Sequence, residues 1–222
     1  MDTPPARLHR PNRRRFLKST LSAAALACMS AIGIGAGTAR AAGASPADLV
    51  ETFHDQLLGV MKAAETLGFQ GRYDRLASPI STAFHLRLMT QISSGSYWRK
   101  ATEPEKKALV TAFSKVSIGT YASRFTGFSG QKFETLGTKP GSQDTRLVST
   151  RIVNPDGDDV PLTYVTKQIE GGWRIIDVIL DTGISELAVR RSEYRKILKQ
   201  GGIDGLIASL NAKAAELGTK SG

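Results

Sequence analysis

Cysteine is almost missing from these 222 residues: the one copy, Cys28, lies near the N-terminus. A chain so composed holds no internal disulfide and offers no Cys-X-X-Cys redox or zinc motif. Histidine is nearly as scarce, with three copies at positions 9, 54 and 85. Structural and catalytic metal sites need clustered His, Cys or carboxylate ligands, and no such cluster is spelled out. No metal or cofactor is expected. Aromatic residues make up 7% of the chain, and no internal repeat or low-complexity run is visible. No apolar run reaches the ~20 residues that a membrane span needs.

The longest apolar stretch, Leu21 to Thr38, follows Arg13-Arg14-Arg15-Phe16-Leu17-Lys18 and ends at Ala39-Arg40-Ala41. Basic start, weakly hydrophobic middle and small-X-small end form an export signal. The paired arginines before Phe-Leu-Lys point to the twin-arginine route. Residues 1–41 are therefore expected to be a signal peptide cleaved near Ala41, with retention as an anchor the alternative. A lipoprotein reading of Cys28 is weakened by Ala25, which stands where a large aliphatic residue is wanted. Residues 42–222 are expected to form a single domain of ordinary size.

The formal charge of +10 invites a nucleic-acid reading, but the export segment carries much of it. Seven of the 30 basic residues and one of the 20 acidic residues precede position 42, leaving 23 and 19. That small excess gives no reason to expect DNA or RNA as a partner.

Apolar residues Leu49, Val50, Phe53, Leu57, Val60, Met61 and Ala64 recur at helical spacing and predict a helix over 46–69, with Ser45 as N-cap and Pro46 at its first position. A second helical region is predicted over 72–93, interrupted near Pro79. A third is predicted over 103–125 with Thr102 as N-cap and Glu103 and Glu105 in its first turn. Segments 130–137, 145–153, 160–170 and 173–181 are rich in Val, Ile, Thr and Tyr and read as strands. Asn154 to Asp159 makes one turn, and Gly171-Gly172 is the expected hairpin link of the last pair. In the final strand Trp173, Ile175 and Ile179 are expected on one face, and Ile176, Val178 and Leu180 on the other. Two closing helices are predicted at 185–199 and 203–217. The class is α+β, with helices, a four-stranded mainly antiparallel sheet, and two C-terminal helices.

Catalytic constellations are hard to assemble from these residues. His54 and His85 each sit beside a phenylalanine within a helix, which reads as packing. Gly127-Phe128-Ser129-Gly130 lacks the residue between Ser and the second Gly that a nucleophile elbow requires. Asp156, Asp158 and Asp159 lack the distal glutamate of a calcium loop. Gly33-Ile34-Gly35-Ala36-Gly37 follows no strand, so it is no phosphate loop. Asp177 and Asp181 are four apart on a strand and share a face; structural hydrogen bonding is the better reading of them. An enzyme acting on lipid would need a polar set in its cavity, such as Asp177 near a histidine. A ligand-free scaffold would show a filled core.

Trp173-Arg174-Ile175-Ile176-Asp177-Val178 leads to Thr182-Gly183-Ile184-Ser185, then Tyr194-Arg195, Ile197-Leu198, Gly202, Leu206-Ile207 and Leu210. With Gly95, Trp98-Arg99, Thr102, Phe113 and Thr120-Tyr121 upstream, this order resembles the MlaC, or toluene-tolerance, family across residues 46–215. Within it the chain looks most like the HpnM branch, associated with hopanoids. Glu103-Pro104-Glu105 stands where that family often has a glutamine. The resemblance implies a non-enzymatic periplasmic carrier that takes a phospholipid or hopanoid by its apolar part. It implies an inner-membrane ABC transporter complex and an outer-membrane lipoprotein or porin complex as partners. The candidate cavity residues are Leu57, Phe84, Leu88, Trp98, Tyr121, Phe125, Tyr164, Ile176 and Val178. Asp177, Gly183, Tyr194 and Arg195 are expected to hold the fold.

Overall fold

A computed structural model describes residues 45–181 and 183–220; the export segment predicted over 1–41 lies outside the described residues. Helix α1 (Pro46–Lys62) starts as its sequence dictates. The Asp48 amide donates to Ser45 Oγ at 3.1 Å, and the Ser45 amide donates to the Asp48 carboxylate at 2.7 Å. This reciprocal capping box satisfies two amides that a helix start leaves orphaned. Val50, Phe53, His54, Leu57, Val60 and Met61 form its buried stripe.

The helix ends earlier than expected, because Ala63 leaves helical geometry. Helix α2 (Ala64–Ala83) then kinks at Gly68, whose φ of 58° suits a residue without Cβ. Pro79 does not interrupt it; α2 runs on to Ala83, and Ile80 in that last turn is 1% exposed. The chain breaks instead at Phe84, which turns extended and bridges Ile175, while the His85 amide donates to the Ile175 carbonyl at 2.9 Å. Helices α3 (Leu86–Ser94) and α4 (Ser96–Lys100) follow, separated only by Gly95. Helix α5 (Glu103–Arg124) opens on a second capping box between Thr102 and Glu105.

Strands β1 (Lys132–Pro140), β2 (Thr145–Val153), β3 (Val160–Ile169) and β4 (Gly172–Leu180) form an antiparallel sheet in the order β1-β2-β3-β4. The last hairpin link is Glu170-Gly171, not Gly171-Gly172: both residues have positive φ, as a type I′ turn demands. The chain closes with α6 (Glu186–Lys220), which Gly202, at φ 62°, kinks into two helical halves. The α+β class and the two closing helices are as read from the sequence.

One alternation rule fails in β4. Val178 pairs with Tyr164, yet Ile175 pairs with Thr166, because a bulge at Ile176 shifts the register. Residues two apart on β3 share a face, so Ile175 joins Val178 and Leu180 on the helix-covered side. That explains two consecutive buried residues, Ile175 and Ile176, in a strand expected to alternate.

The core lies between this sheet face and the helices, with Phe53, Leu57, Leu76, Leu109, Phe113 and Ile175 nearly inaccessible. Arg72 is buried among them. Its Nε donates to the Ala122 carbonyl at 2.8 Å and its Nη1 to the Ala64 carbonyl at 3.0 Å, tying α2 to the end of α5 and to its own start. Tyr194 packs into the core as expected, whereas Arg195 is exposed. Among the described residues, no helix is long and apolar enough to cross a membrane.

Candidate functional site: an apolar cavity between sheet and helices

The sheet does not fill against the helices along its whole length. Where β2 ends, β3 begins and β4 ends, a cavity of about 360 Å³ remains between the sheet, α5 and the first turns of α6. Its floor is Ile80, Phe84 and Tyr164, all buried. Leu86 and Met89 of α3 and Leu187 of α6 form one wall. Ile152, Leu162 and Val178 form the sheet wall. The rim carries Arg124 and Val160, both exposed, with Leu180 and Glu186 partly so.

Aromatic rings brace the floor. Phe53 meets Phe84 edge-on at 5.1 Å and Tyr121 at 5.6 Å. Tyr121 in turn stacks with Phe125 at 5.8 Å. Such edge-to-face contacts have preferred geometry and resist collapse into the space beside them.

The polar groups near the floor are mostly turned to one another. The Tyr164 hydroxyl and His54 Nε2 are hydrogen-bonded at 2.9 Å, and the His54 ring stacks on Phe133 at 4.3 Å. Tyr164 therefore offers the cavity a ring, while its polar end is answered elsewhere. Burial pushes the Tyr164 hydroxyl well above its ordinary value and lowers His54 to about 4, so both are neutral at pH 7. Thr120 Oγ1 donates to the Val116 carbonyl of its own helix at 2.7 Å.

Asp177 has a structural task. Its carboxylate accepts from Ser185 Oγ and from the Leu187 amide at 3.0 Å, while Ser185 Oγ accepts from the Ala188 amide at 2.9 Å. These bonds cap α6 and seat its first turn over the cavity. Asp177 is thereby the fold-holding residue the sequence suggested. Among the described residues, no group of three or more His, Cys, Asp or Glu is placed to share a metal ion.

Five of the nine candidate residues line this cavity: Phe84, Tyr121, Phe125, Tyr164 and Val178. The other four do not. Leu57 is packed in the core under α1. Leu88 is half-buried on α3, outside the lining. Trp98 lies beneath Arg87 and Lys106, whose cationic groups sit 5.2 and 5.8 Å from its ring, and lines a separate cleft with Arg99 and Arg191. Ile176 is the extra residue of the β4 bulge. The sequence reading missed Leu162, Val160 and Ile152, although period-two alternation from Tyr164 leads to the first two, and Ile152 pairs with Val160. It also missed Leu187 and Arg190, which are three apart on α6 and so share a face.

Comparison with known proteins bears on the family and on the fold. The sequence profile of the family described as "MlaC protein" matches residues 51–212. The chain is 22% identical over 166 residues to the toluene tolerance protein ttg2D of Pseudomonas putida, a match that covers 72% of this chain and 76% of that one. A solved structure of the phospholipid-binding protein from Ralstonia solanacearum, in complex with a phospholipid, superposes with a TM-score of 0.69. It is 23% identical and covers 79% of this chain and 99% of its own.

Proposed function

The chain belongs to the MlaC protein family, and from that premise we propose that it is a lipid carrier rather than an enzyme. It binds a phospholipid by its acyl part and conveys it between the inner and outer membranes. The observation that carries this reading is the apolar cavity of about 360 Å³, within the range of small-molecule sites, about 300–1,000 Å³. Its aromatic and aliphatic lining suits an acyl chain, for which burial of each methylene contributes about 0.8 kcal/mol. The Ralstonia solanacearum protein of similar fold holds a phospholipid, which supports that ligand class for this cavity.

Residues 1–41 act as the export signal and 42–222 as one lipid-binding domain, which places the work in the periplasm. The loading and unloading partners are an inner-membrane ABC transporter complex and an outer-membrane lipoprotein or porin complex. The site residues are Phe84, Tyr121, Phe125, Tyr164 and Val178 of the nine sequence candidates, joined by Ile152, Leu162 and Leu187.

The test is native mass spectrometry of the protein purified from its own host, followed by organic extraction. A co-purifying phospholipid is the expected result; a hopanoid would instead support the narrower HpnM branch. A protein that is reproducibly empty and also refuses added lipid would sink the carrier reading.

A further inference from the structure

The wall of the cavity carries charge that the packing leaves unanswered. Arg190, one turn into α6, lines the cavity beside Ser117 and Tyr121. Its Nη1 donates to Ser117 Oγ at 3.0 Å, and its guanidinium lies 4.9 Å from the centre of the buried Phe113 ring. It also acts on the Tyr194 hydroxyl. These contacts hold the side chain in place without neutralising it. Among the described residues Arg190 has no carboxylate ion pair; the one ion pair on the cavity wall joins Arg124 and Glu186, at 3.7 Å. The wall thus holds two guanidinium groups against one carboxylate.

A third group converges on the same place. Tyr121 lines the cavity, and Arg190, Arg124 and Glu186 are the charged groups that act on its hydroxyl. No hydrogen bond of that hydroxyl to another described residue is present. A guanidinium has five N–H donors in a planar fork, and Ser117 engages one of them on Arg190. A cation fixed in an apolar wall is poorly solvated, so it gains most from a ligand that brings a negative charge. Phosphate and carboxylate both match the fork, with charge-assisted hydrogen bonds. A neutral hopanoid skeleton would fill the volume and leave the charge as it was.

We propose that the cavity selects an anionic amphiphile, with Arg190 as the residue that reads the charge. The phosphate or carboxylate lies against Arg190, Arg124 and the Tyr121 hydroxyl, and the chain runs inward over Val178 and Tyr164 to Phe84. This rests on the carrier reading and narrows its ligand to one charge class.

The experiment is direct binding of three probes of equal chain length to the full protein: a fatty acid, a lysophosphatidylglycerol and a neutral monoacylglycerol. Each is measured with the unaltered protein, with Arg190→Gln, and with Arg191→Gln, whose parent side chain lines the separate Trp98 cleft. The unaltered protein is expected to bind both anionic probes about tenfold tighter than the neutral one, the scale of a charged hydrogen bond. Arg190→Gln should remove most of that preference while leaving monoacylglycerol binding within about threefold, and Arg191→Gln should preserve the preference. The relative strength of fatty acid and lysophosphatidylglycerol tells carboxylate from phosphate. Equal affinity of the unaltered protein for all three probes overturns the charge reading and leaves the carrier reading intact. So does an Arg190→Gln variant that weakens all three alike, since a merely structural role would do that. Failure of every probe to bind the unaltered protein overturns both.

Discussion

If the cavity holds an acyl chain, its finite depth must appear in a chain-length series. A cavity of about 360 Å³, filled at roughly 30 Å³ for a group the size of a water molecule, takes about a dozen methylenes. Burial of each contributes about 0.8 kcal/mol, close to a fourfold gain in affinity per carbon, since 1.4 kcal/mol is tenfold. The cost of association is shared along the series and cancels between members. Affinity measured by displacement of a fluorescent lipid, with lysophospholipids of six to eighteen carbons below their micelle concentration, should therefore climb steeply and flatten near twelve. Val178→Trp, which places a large ring on the sheet wall opposite Tyr164, should move the break several carbons shorter. An affinity that rises unbroken to eighteen carbons in both proteins, or that ignores length altogether, would refute the assignment of this cavity as the acyl site.

Three further outcomes follow from the polar groups around it. His54 titrates at about 4 when folded, below its unfolded value of about 6.5, so the unfolded chain takes the proton first. Stability is fully present above about pH 6.5 and falls as pH drops toward 4, by about 3 kcal/mol; His54→Gln should flatten that fall in urea midpoints taken from pH 7 to 4, and an unchanged slope would count against the assignment. Arg72→Met leaves the buried Ala64 and Ala122 carbonyls without their donor and should cost roughly 3 kcal/mol in the same assay; a loss under about 1 kcal/mol would show that water or repacking replaces it. Asp177→Asn should cost about 1–2 kcal/mol as a lost helix cap and raise amide exchange at 186–190 before it affects the rest of the chain. Protection there equal to the unaltered protein would show that packing alone seats α6.

The helices, the strand count and the caps were legible because local chemistry dictates them. Ser45-Pro46 and Thr102-Glu103-Pro104-Glu105 state helix starts in a few residues each, and the capping boxes form where those residues stand. Glycine was less readable. The helix predicted over 46–69 breaks at Ala63, and α2 kinks at Gly68 yet passes through Gly71. Periodicity found which residues are apolar but could not say which space they face. Leu57 and Phe53 share a stripe on α1, yet that stripe meets packed core, while Phe84 reaches the cavity because the chain turns extended there. Ile176 was misplaced because a bulge is a property of strand pairing, which no single strand announces. Arg190 was invisible for a different reason: its meaning comes from Ser117, seventy-three positions away.

A hollow in a protein of this size needs an account, since the hydrophobic effect favours closing it and cores pack to crystal-like density. Here the elements around the space are each held by something other than the space itself. Asp177 fixes the start of α6 from the sheet, Arg72 ties α2 to the end of α5, and the Phe84–Ile175 bridge locks the break after α2 onto β4. Closing the gap would require sliding α5 and α6 toward the sheet. That movement would break the Asp177 cap, or leave the buried Arg72 guanidinium without a carbonyl, at a cost of a few kcal/mol either way. The aromatic floor cannot flow into the gap, because Phe53, Phe84 and Tyr121 hold one another at fixed edge-to-face angles. An apolar space walled in this way is poorly served by water, which finds few partners there. The proposed anionic amphiphile would relieve it, with its apolar chain in the space and its charged group where Arg190 and Arg124 stand.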